Sequence, residues 1–374
     1  MGRPTSISVH FGCVPDPRIE RSRAHQLVDI LTITLCAVLC GADSWVDVET
    51  FGETREAWLR TFLDLPGGIP SHDTFGRVFA RLDPVAFQQC FLAWVQQVVP
   101  RPSGVVALDG KTVRGSHHRA TGGHPLHLVS AWSDAAGLVL GQVAVAEKSI
   151  KITDIPALLA VLDITDCTIT IDAMGCQTAI AEQIIAQGGD YVLALKGNHG
   201  TLHSEVAATF VLVTEDEAVT LTQSASVAEK DHGRLERRQV ATITDPAILT
   251  YLDPDGKWPA LASLVRVTSH RQVGTQAPTV EQRYYLSSLP GGPTRLGTVI
   301  RSHWGIENRL HWVLDVAFRE DDNRTRAGHG AQNLATVRHL ALNLLRRAPM
   351  TGSITTKRFK AALDPAILAS VLAG

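Results

Sequence analysis

The segment Val105-Val-Ala-Leu-Asp-Gly-Lys-Thr112 joins a short aliphatic run to an acidic residue, Asp109. A run of β-branched and aliphatic residues predicts a buried strand, and we expect Asp109 to emerge at its tip. The segment Thr168-Ile-Thr-Ile-Asp-Ala-Met-Gly175 has the same form and places Asp172 after a second run. The two segments therefore predict two strands, each with an aspartate at its end.

A third acidic residue, Glu307, lies in a different setting. It follows His303-Trp-Gly-Ile within a long helical pattern over about 296–318. Two carboxylates on strands and one on a packed helix are held rigidly, and together they can bind a pair of hard divalent cations. Two such ions contact both the attacking and the leaving oxygen of a phosphodiester. We therefore predict Asp109, Asp172 and Glu307 as catalytic residues and as ligands of two Mg²⁺ ions, which Mn²⁺ can replace.

The pattern around the two aspartates predicts an α/β fold. Strands and helices follow in the order βββαβαβ, and Ser133-Asp-Ala-Ala-Gly137 is typical of a hairpin turn. A hairpin followed by alternating units predicts a mixed sheet covered by helices. The predicted strands are 105–108, 126–132, 138–145, 167–171 and 191–195, and the helices between them are 155–162 and 178–187.

Changes of pattern divide the chain into four predicted regions. An all-helical region comes first, followed by the sheet with Asp109 and Asp172. A strand-rich insertion comes next, and a helical region with Glu307 completes the sheet domain. The region boundaries are 1–100, 101–199, 200–290 and 291–374.

The outer regions contain further predicted elements. The first 24 residues are polar and are expected to be irregular. After the helix with Glu307, a second helix and then a loop with one short helix are expected. In the insertion we predict a helix at 202–210 and strands at 218–221, 239–243, 264–267 and 284–286, and in the last region a helix at 333–346.

Composition limits the class of protein. The 374 residues are 45% hydrophobic with a net charge of -2, which is ordinary for a globular protein of two or three domains. Six cysteines without a C-x-x-C pair predict neither a zinc nor a disulfide framework. The most apolar segment, 30–41, is too short to span a bilayer, and no signal-peptide core is found. We expect a cytoplasmic protein with no membrane partner.

Six ordered motifs together resemble one family. The chain is similar to insertion-sequence DDE transposases, of the branch that includes the H-repeat-associated proteins, and the resemblance covers nearly the whole chain. The matching stretches are Gly68-Ile-Pro-Ser-His-Asp-Thr-Phe75, Ala107-Leu-Asp-Gly-Lys-Thr-Val-Arg-Gly115, Asp172-Ala-Met-Gly-Cys-Gln177, Tyr191-Val-Leu-Ala-Leu-Lys-Gly-Asn198, Asp231-His-Gly-Arg-Leu-Glu236 and His303-Trp-Gly-Ile-Glu-Asn-Arg-Leu-His-Trp-Val-Leu-Asp-Val316.

The resemblance implies a ribonuclease-H-like mixed sheet and a transposase activity. It implies metal-dependent phosphodiester hydrolysis at element ends, followed by strand transfer into target DNA. The implied partner is double-stranded DNA, which we expect a homo-oligomer to bind. The helical N-terminal domain is expected to bind terminal DNA through charges such as Arg18, Arg21 and Arg23.

Basic residues near the predicted site are candidate DNA contacts. They either follow a predicted carboxylate closely, end a strand near the site, or lie in a matching motif. Cations in such places can bind the phosphate backbone, although solvated surface positions are nearly as plausible for several of them. The candidates are Lys111, Arg114, Lys196, Arg234 and His303.

The helix with Glu307 departs from the wider superfamily. Many relatives carry Tyr, Arg and Lys around this glutamate, where this chain has Ile300, His303 and Leu314. The phosphate contacts made by those residues elsewhere must come from other groups here. His303 precedes Glu307 by four residues and shares its helix face, so we predict that it contacts a phosphate or the Glu307 carboxylate.

Two other functions are consistent with the same motifs. One is a metal-dependent DNA nuclease that cuts without strand transfer, and the other is a non-catalytic DNA-binding protein derived from a transposase. Each acidic residue also has a structural explanation when taken alone. Asp109 precedes glycine as in many turns, Asp172 could cap a helix, and Glu307 could be solvated.

Overall fold

Helices make up the first hundred residues, as the hydrophobic spacing predicts. The computed structural model describes residues 7–117, 124–145, 151–215, 222–231, 234–274 and 276–373. Asp83 accepts a hydrogen bond from the Val85 N–H at the start of one helix. The first helix lies in the segment that was expected to be irregular. The helices are α1 (Ile7–Phe11), α2 (Leu27–Leu39), α3 (Trp45–Leu59), α4 (His72–Arg81) and α5 (Pro84–Val98).

In the described residues, nine strands form one mixed sheet. The strands are β1 (Gly104–Val113), β2 (Leu126–Ser133), β3 (Leu138–Val145), β4 (Cys167–Ile171), β5 (Asp190–Leu195), β6 (Thr222–Asp231), β7 (Arg234–Ile243), β8 (Ser263–Val273) and β9 (Thr279–Ser287). Their order across the sheet is β3-β2-β1-β4-β5-β9-β8-β7-β6. β1, β4 and β5 are parallel, whereas β2 and β3 form the predicted antiparallel hairpin beside β1.

The first five strands define the fold. The order β3-β2-β1-β4-β5, with β2 antiparallel to its neighbours, is that of the ribonuclease-H-like fold. The helix α6 (Lys151–Ala160) connects β3 to β4, and α7 (Thr178–Ala186) lies in the crossover from β4 to the parallel β5. The predicted α/β fold class is therefore confirmed.

The strand-rich region extends this sheet instead of forming a separate one. β9 pairs antiparallel with β5, and β8, β7 and β6 follow in antiparallel order. The predicted antiparallel strands are thus present, but they are longer than their apolar runs. The strand predicted at 218–221 lies outside the described residues, and β6 begins at Thr222.

Helices of the last region pack against those of the first. The tail contains two helices where one was predicted, because a second helix begins at Pro365. The helix Gly330–Arg347 contacts α2, α4 and α5, so the two ends of the chain share one hydrophobic core. The bounds are α8 (Gly200–Glu215), α9 (Pro246–Leu252), α10 (Pro293–Gly305), α11 (Trp312–Phe318), α12 (Gly330–Arg347), α13 (Ile354–Leu363) and α14 (Pro365–Ala373).

One described segment, Glu20–Leu39, is long and apolar enough to cross a membrane by composition alone. It contains α2, which packs against α3 and α12, and 67% of the apolar window is buried inside the protein. A buried core helix passes the same test of length and composition. The segment therefore gives no support for a membrane span.

Candidate active site

Asp109 lies inside β1, not at the tip where it was predicted. β1 pairs with β4 only as far as Leu108 and Ile171, but it continues beside β2 to Val113. Asp109 is thus the first residue of β1 beyond the β4 pairing. Asp172 directly follows β4, which confirms its place at a strand end. Because these two parallel strands are neighbours, both aspartates lie at the same edge of the parallel sheet.

Glu307 lies on the predicted helix, but this helix is not a regular α-helix throughout. A π-helical segment, Ile306–His311, separates α10 from α11 and contains Glu307. Gly305 allows the helix to approach β2 closely, since a Cβ atom there would lie 3.1 Å from Asp134 Oδ1. Trp304, just before this segment, is 46% exposed. π turns inside helices occur frequently at functional sites.

The three predicted carboxylates line one cleft. Its volume is about 370 Å³, and it lies between α10 and the edge formed by β4, β5 and β9. Most of its remaining lining is apolar or aromatic, with two basic residues. The lining includes Asp109, Asp172, Glu307, Val192, Lys196, Arg283, Tyr285, Ile300, His303 and Trp304.

His311 is a site residue that the sequence analysis missed. Its Nδ1 lies 3.0 Å from Glu307 Oε2 and 3.7 Å from Asp109 Oδ2, and its side chain is 4% exposed. The hydrogen bond from His311 is the main cause that lowers the pKa of Glu307 below its ordinary value. One ligand atom from each of Asp109, Glu307 and His311 lies within 4.8 Å of the others. The available signal was the spacing of four residues from Glu307.

His303 contacts the sheet and not Glu307. Its Nδ1 lies 2.9 Å from Thr170 Oγ1 on β4, two residues before Asp172. Burial lowers the pKa of His303 and outweighs the opposite effect of Asp109 and Asp172. The Glu307 carboxylate instead accepts from His311. His303 also lines the cleft, where a bound phosphate could reach it. Its contact with phosphate therefore stays a prediction.

Lys111, a predicted DNA contact, lies in a buried ion-pair cluster. Its Nζ donates to Asp315 and lies 2.8 Å from Glu320 Oε2. Burial lowers the pKa of Lys111, but Glu320 and Asp315 more than offset this, so its pKa lies above the ordinary value. Burial raises the pKa of Asp315 despite the hydrogen bond from Lys111. Burial also raises the pKa of Glu320, but the charges of Lys111, Arg338 and His339 outweigh this and lower it. A phosphate contact would require these ion pairs to break.

The other three candidate DNA contacts, Lys196, Arg114 and Arg234, differ in their position and in their partners. Lys196 is exposed and lines the cleft. Arg114 is also exposed, but its Nε lies 3.4 Å from Asp321 Oδ2. Arg234 is the first residue of β7. It lies six residues along this strand from Val240, which is level with Arg283 across the sheet, and six residues of a strand span roughly 20 Å.

Two of the N-terminal arginines are already paired within the protein. Arg18 Nη2 lies 2.8 Å from Asp16 Oδ2 and is almost fully buried, and Arg23 Nε lies 3.5 Å from the same oxygen. Arg21 is exposed. The expectation that Arg18 contacts DNA is therefore not supported by its position.

The donor atoms at the cleft fit divalent cations. Asp109, Asp172 and Glu307 offer carboxylate oxygens, which are the preferred ligands of Mg²⁺. His311 lies beside them and donates from Nδ1 to Glu307, so it orients one of these carboxylates. The fold and these donors define a ribonuclease-H-like protein with an acidic site suited to cations.

Comparison with known families identifies the class more closely. The chain belongs to the DDE transposase family: the transposase DDE domain matches residues 100–344, and the domain described as DDE_Tnp_1-associated matches residues 8–95. These two matches cover the helical region and the sheet with all three carboxylates. The family assigned from the sequence motifs is therefore confirmed.

Individual relatives agree with this assignment. "H repeat-associated putative transposase YhhI" of Escherichia coli is 40% identical over 370 residues, which is 98% of this chain and 97% of that protein. An "Uncharacterized protein in dhlA 3'region" of Xanthobacter autotrophicus is 47% identical over 289 residues, 76% of this chain and 94% of that protein. A piggyBac transposase synaptic complex with hairpin DNA aligns with the whole chain and 81% of its own, at a TM-score of 0.46 and 10% identity. A structural likeness of that size carries no weight for function.

Proposed function

We propose that this transposase-family chain hydrolyses phosphodiester bonds at the ends of a DNA element and joins the freed 3′ ends to target DNA. The observation that carries the proposal is the meeting of Asp109, Asp172 and Glu307, which are far apart in sequence, around one cleft. Two come from parallel strands and one from a packed helix. Such elements hold side chains more rigidly than loops do, as catalysis requires.

The residues of the cleft divide into three roles under this proposal. Asp109, Asp172 and Glu307 would hold two Mg²⁺ ions, or Mn²⁺ in their place. When bound, such ions stabilise the attacking and the leaving oxygen of a phosphodiester. His311 donates to Glu307 and keeps its carboxylate turned towards Asp109.

The opposite side of the cleft would bind the DNA strand. Lys196 is exposed there, and Arg283 lies over the ring of Trp304 at 5.0 Å. Lys196 is placed to contact a phosphate, whereas Arg283 Nε lies 2.8 Å from Glu281 Oε1, so its charge is partly neutralised within the protein. Much of the remaining lining of the cleft is apolar, and the lower local polarity would strengthen electrostatic interactions there once DNA is bound.

Strand transfer separates this function from its alternatives. Purified protein is incubated with Mg²⁺, with DNA that carries the flanking sequence of its own gene, and with a supercoiled target plasmid. We expect cleaved ends and covalently joined products, and neither when EDTA is present. Cleavage without joined products would instead indicate a nuclease. DNA binding without cleavage would indicate a non-catalytic protein.

Joining two element ends needs two active sites close together. We therefore propose that the chain acts as a homo-oligomer on double-stranded DNA, in the cytoplasm. The family membership supports this proposal, as does the one set of three carboxylates that lines the cleft of each chain. Mass photometry with and without end DNA would test it, with dimers or larger species expected only when DNA is present.

A further inference from the structure

A buried charge cluster lies beside the carboxylates of the cleft. Lys111 follows Asp109 by two residues on β1, so both side chains leave the same face of the strand. The Lys111 side chain is 10% exposed and contacts Asp315 and Glu320. Glu320 is itself buried, and Arg338 Nη1 of α12 lies 3.8 Å from its other oxygen. The cluster therefore joins β1 to α11, to the residues directly after α11, and to α12.

The helical stretch formed by the π-helical segment and α11 contacts β1 at two positions along the strand. Glu307, His311 and Asp315 follow each other at intervals of four residues across the π-helical segment and α11. A π turn holds more residues than an α turn, so the combination keeps these three side chains on one helix face. His311 lies beside Asp109, whereas Asp315 lies beside Lys111. Two contacts of this kind set the position of the helix along the strand.

We propose that Lys111 is a positioning residue of the active site. Through Asp315 and Glu320 it holds the helix so that Glu307 and His311 stay beside Asp109. The inference rests on the proposed function, because it concerns the cation site of Asp109 and Glu307. A buried ammonium group with two carboxylate partners stabilises one arrangement strongly, since displacing it leaves buried charges uncompensated.

Charge and position predict opposite effects when Lys111 is replaced. Lys111→Met removes a positive charge close to Asp109, so electrostatics alone would tighten cation binding. If Lys111 positions Glu307, the same change weakens binding, by roughly 10- to 100-fold, as for other residues that orient metal ligands. Binding of Mn²⁺ to the full chain without DNA, measured from the electron paramagnetic resonance of the free ion, distinguishes the two.

A second variant removes the pair without changing the net charge. Lys111→Met with Asp315→Asn should also weaken Mn²⁺ binding, whereas Lys111→Arg should keep most of it. This double variant leaves Glu320 with Arg338 as a partner, and it decides the question if Lys111→Met does not fold. Mn²⁺ binding that is unchanged or tighter in the variant that folds would overturn the proposal.

A matched control separates position from general stability. Asp16→Asn breaks another ion pair of low exposure, Arg18 with Asp16, far from the cleft in sequence. It should lower the melting temperature without changing Mn²⁺ affinity. Asp109→Asn tests the underlying site: if the natural chain binds no Mn²⁺, or binds it independently of Asp109, the proposed cation site fails. If binding depends on Asp109 but not on Lys111, only the positioning role fails.

Discussion

The two sides of the cleft use basic residues in different ways. On the β1 side, Lys111 is enclosed by Asp315 and Glu320, and its charge is neutralised inside the protein. On the β5 and β9 side, Lys196 is exposed, whereas Arg283 lies over Trp304 and pairs with Glu281 at 2.8 Å. The β1 side, here called the fixed side, thus holds its lysine in a buried ion-pair cluster, and the β5 and β9 side, here called the open side, presents Lys196 to solvent. Proximity in sequence to a proposed catalytic carboxylate therefore does not by itself indicate that a lysine contacts the substrate.

The largest expected effect concerns the carboxylates between the two sides. Asp109→Asn, Asp172→Asn and Glu307→Gln each remove a charge with little change of volume, so DNA binding and folding should persist. Cleavage should fall by on the order of 10³-fold or more, beyond the cost of losing one group that stabilises developing charge. Single-turnover cleavage in Mg²⁺ measures this. A variant with near-normal cleavage would remove that residue from the site.

The next effect tests the fixed side of the cleft. His311→Gln removes the imidazole that donates to Glu307 and should raise the Mg²⁺ concentration needed for half-maximal cleavage by roughly 10- to 100-fold. The maximal rate at saturating Mg²⁺ should fall less. If the Mg²⁺ requirement were unchanged and only the melting temperature fell, His311 would contribute to packing and not to the cation site.

A smaller effect is expected at His303, where the helix meets β4. His303→Ala should slow cleavage by about 10-fold at saturating DNA, because loss of the Thr170 contact lets the helix shift. DNA affinity should change less than the rate. His303→Arg discriminates between roles: a restored rate would favour a phosphate contact, and no recovery would favour the contact with Thr170.

The open side of the cleft should respond to salt. Lys196→Ala should weaken DNA binding by roughly threefold at moderate salt, and it should lower the slope of log affinity against log salt by about 1. Lys257→Ala is the control, since Lys257 is exposed and lies outside the cleft lining. Equal effects in both variants would mean that Lys196 acts only through the net charge.

The smallest effect is expected at Arg114, on the fixed side. Its side chain is 83% exposed and pairs with Asp321, so Arg114→Ala should change DNA affinity by less than about twofold. The free energy of unfolding should change by no more than about 0.5 kcal/mol. A loss of affinity as large as that in Lys196→Ala would show that the DNA surface extends across both sides.

The sequence predicted the elements of the site better than their ends. Asp172 follows its strand as expected, because β4 is buried on both faces and its apolar run ends where the pairing ends. The apolar run before Asp109 also ends there, but β1 continues because β2 still pairs with it. A strand that pairs with a neighbour on one side only does not need a continuous apolar run. Residues 105–108 therefore did not predict how far β1 continues.

The contacts around the site were largely beyond the sequence. Lys111 and Asp315 are 204 residues apart, and only the fold brings the two charges together. The contact of His311 with Glu307 could have been predicted from their spacing of four residues, but many such pairs on helices are exposed and weak. The second tail helix had a clear signal, since Asp364 precedes Pro365 as Asp83 precedes Pro84.

The π-helical segment Ile306–His311 has a consequence for how the helix tolerates changes of length. Each residue of an α-helix advances the chain by about 100° around the axis. A π turn holds one residue more than an α turn, so deleting one residue between Glu307 and His311 would let the segment relax to a regular α-helix. The residues after it would keep their orientation, and Asp315 would stay beside Lys111. The same deletion between His311 and Asp315, in the regular α11, would rotate Asp315 by about 100° away from Lys111 and should be far more damaging.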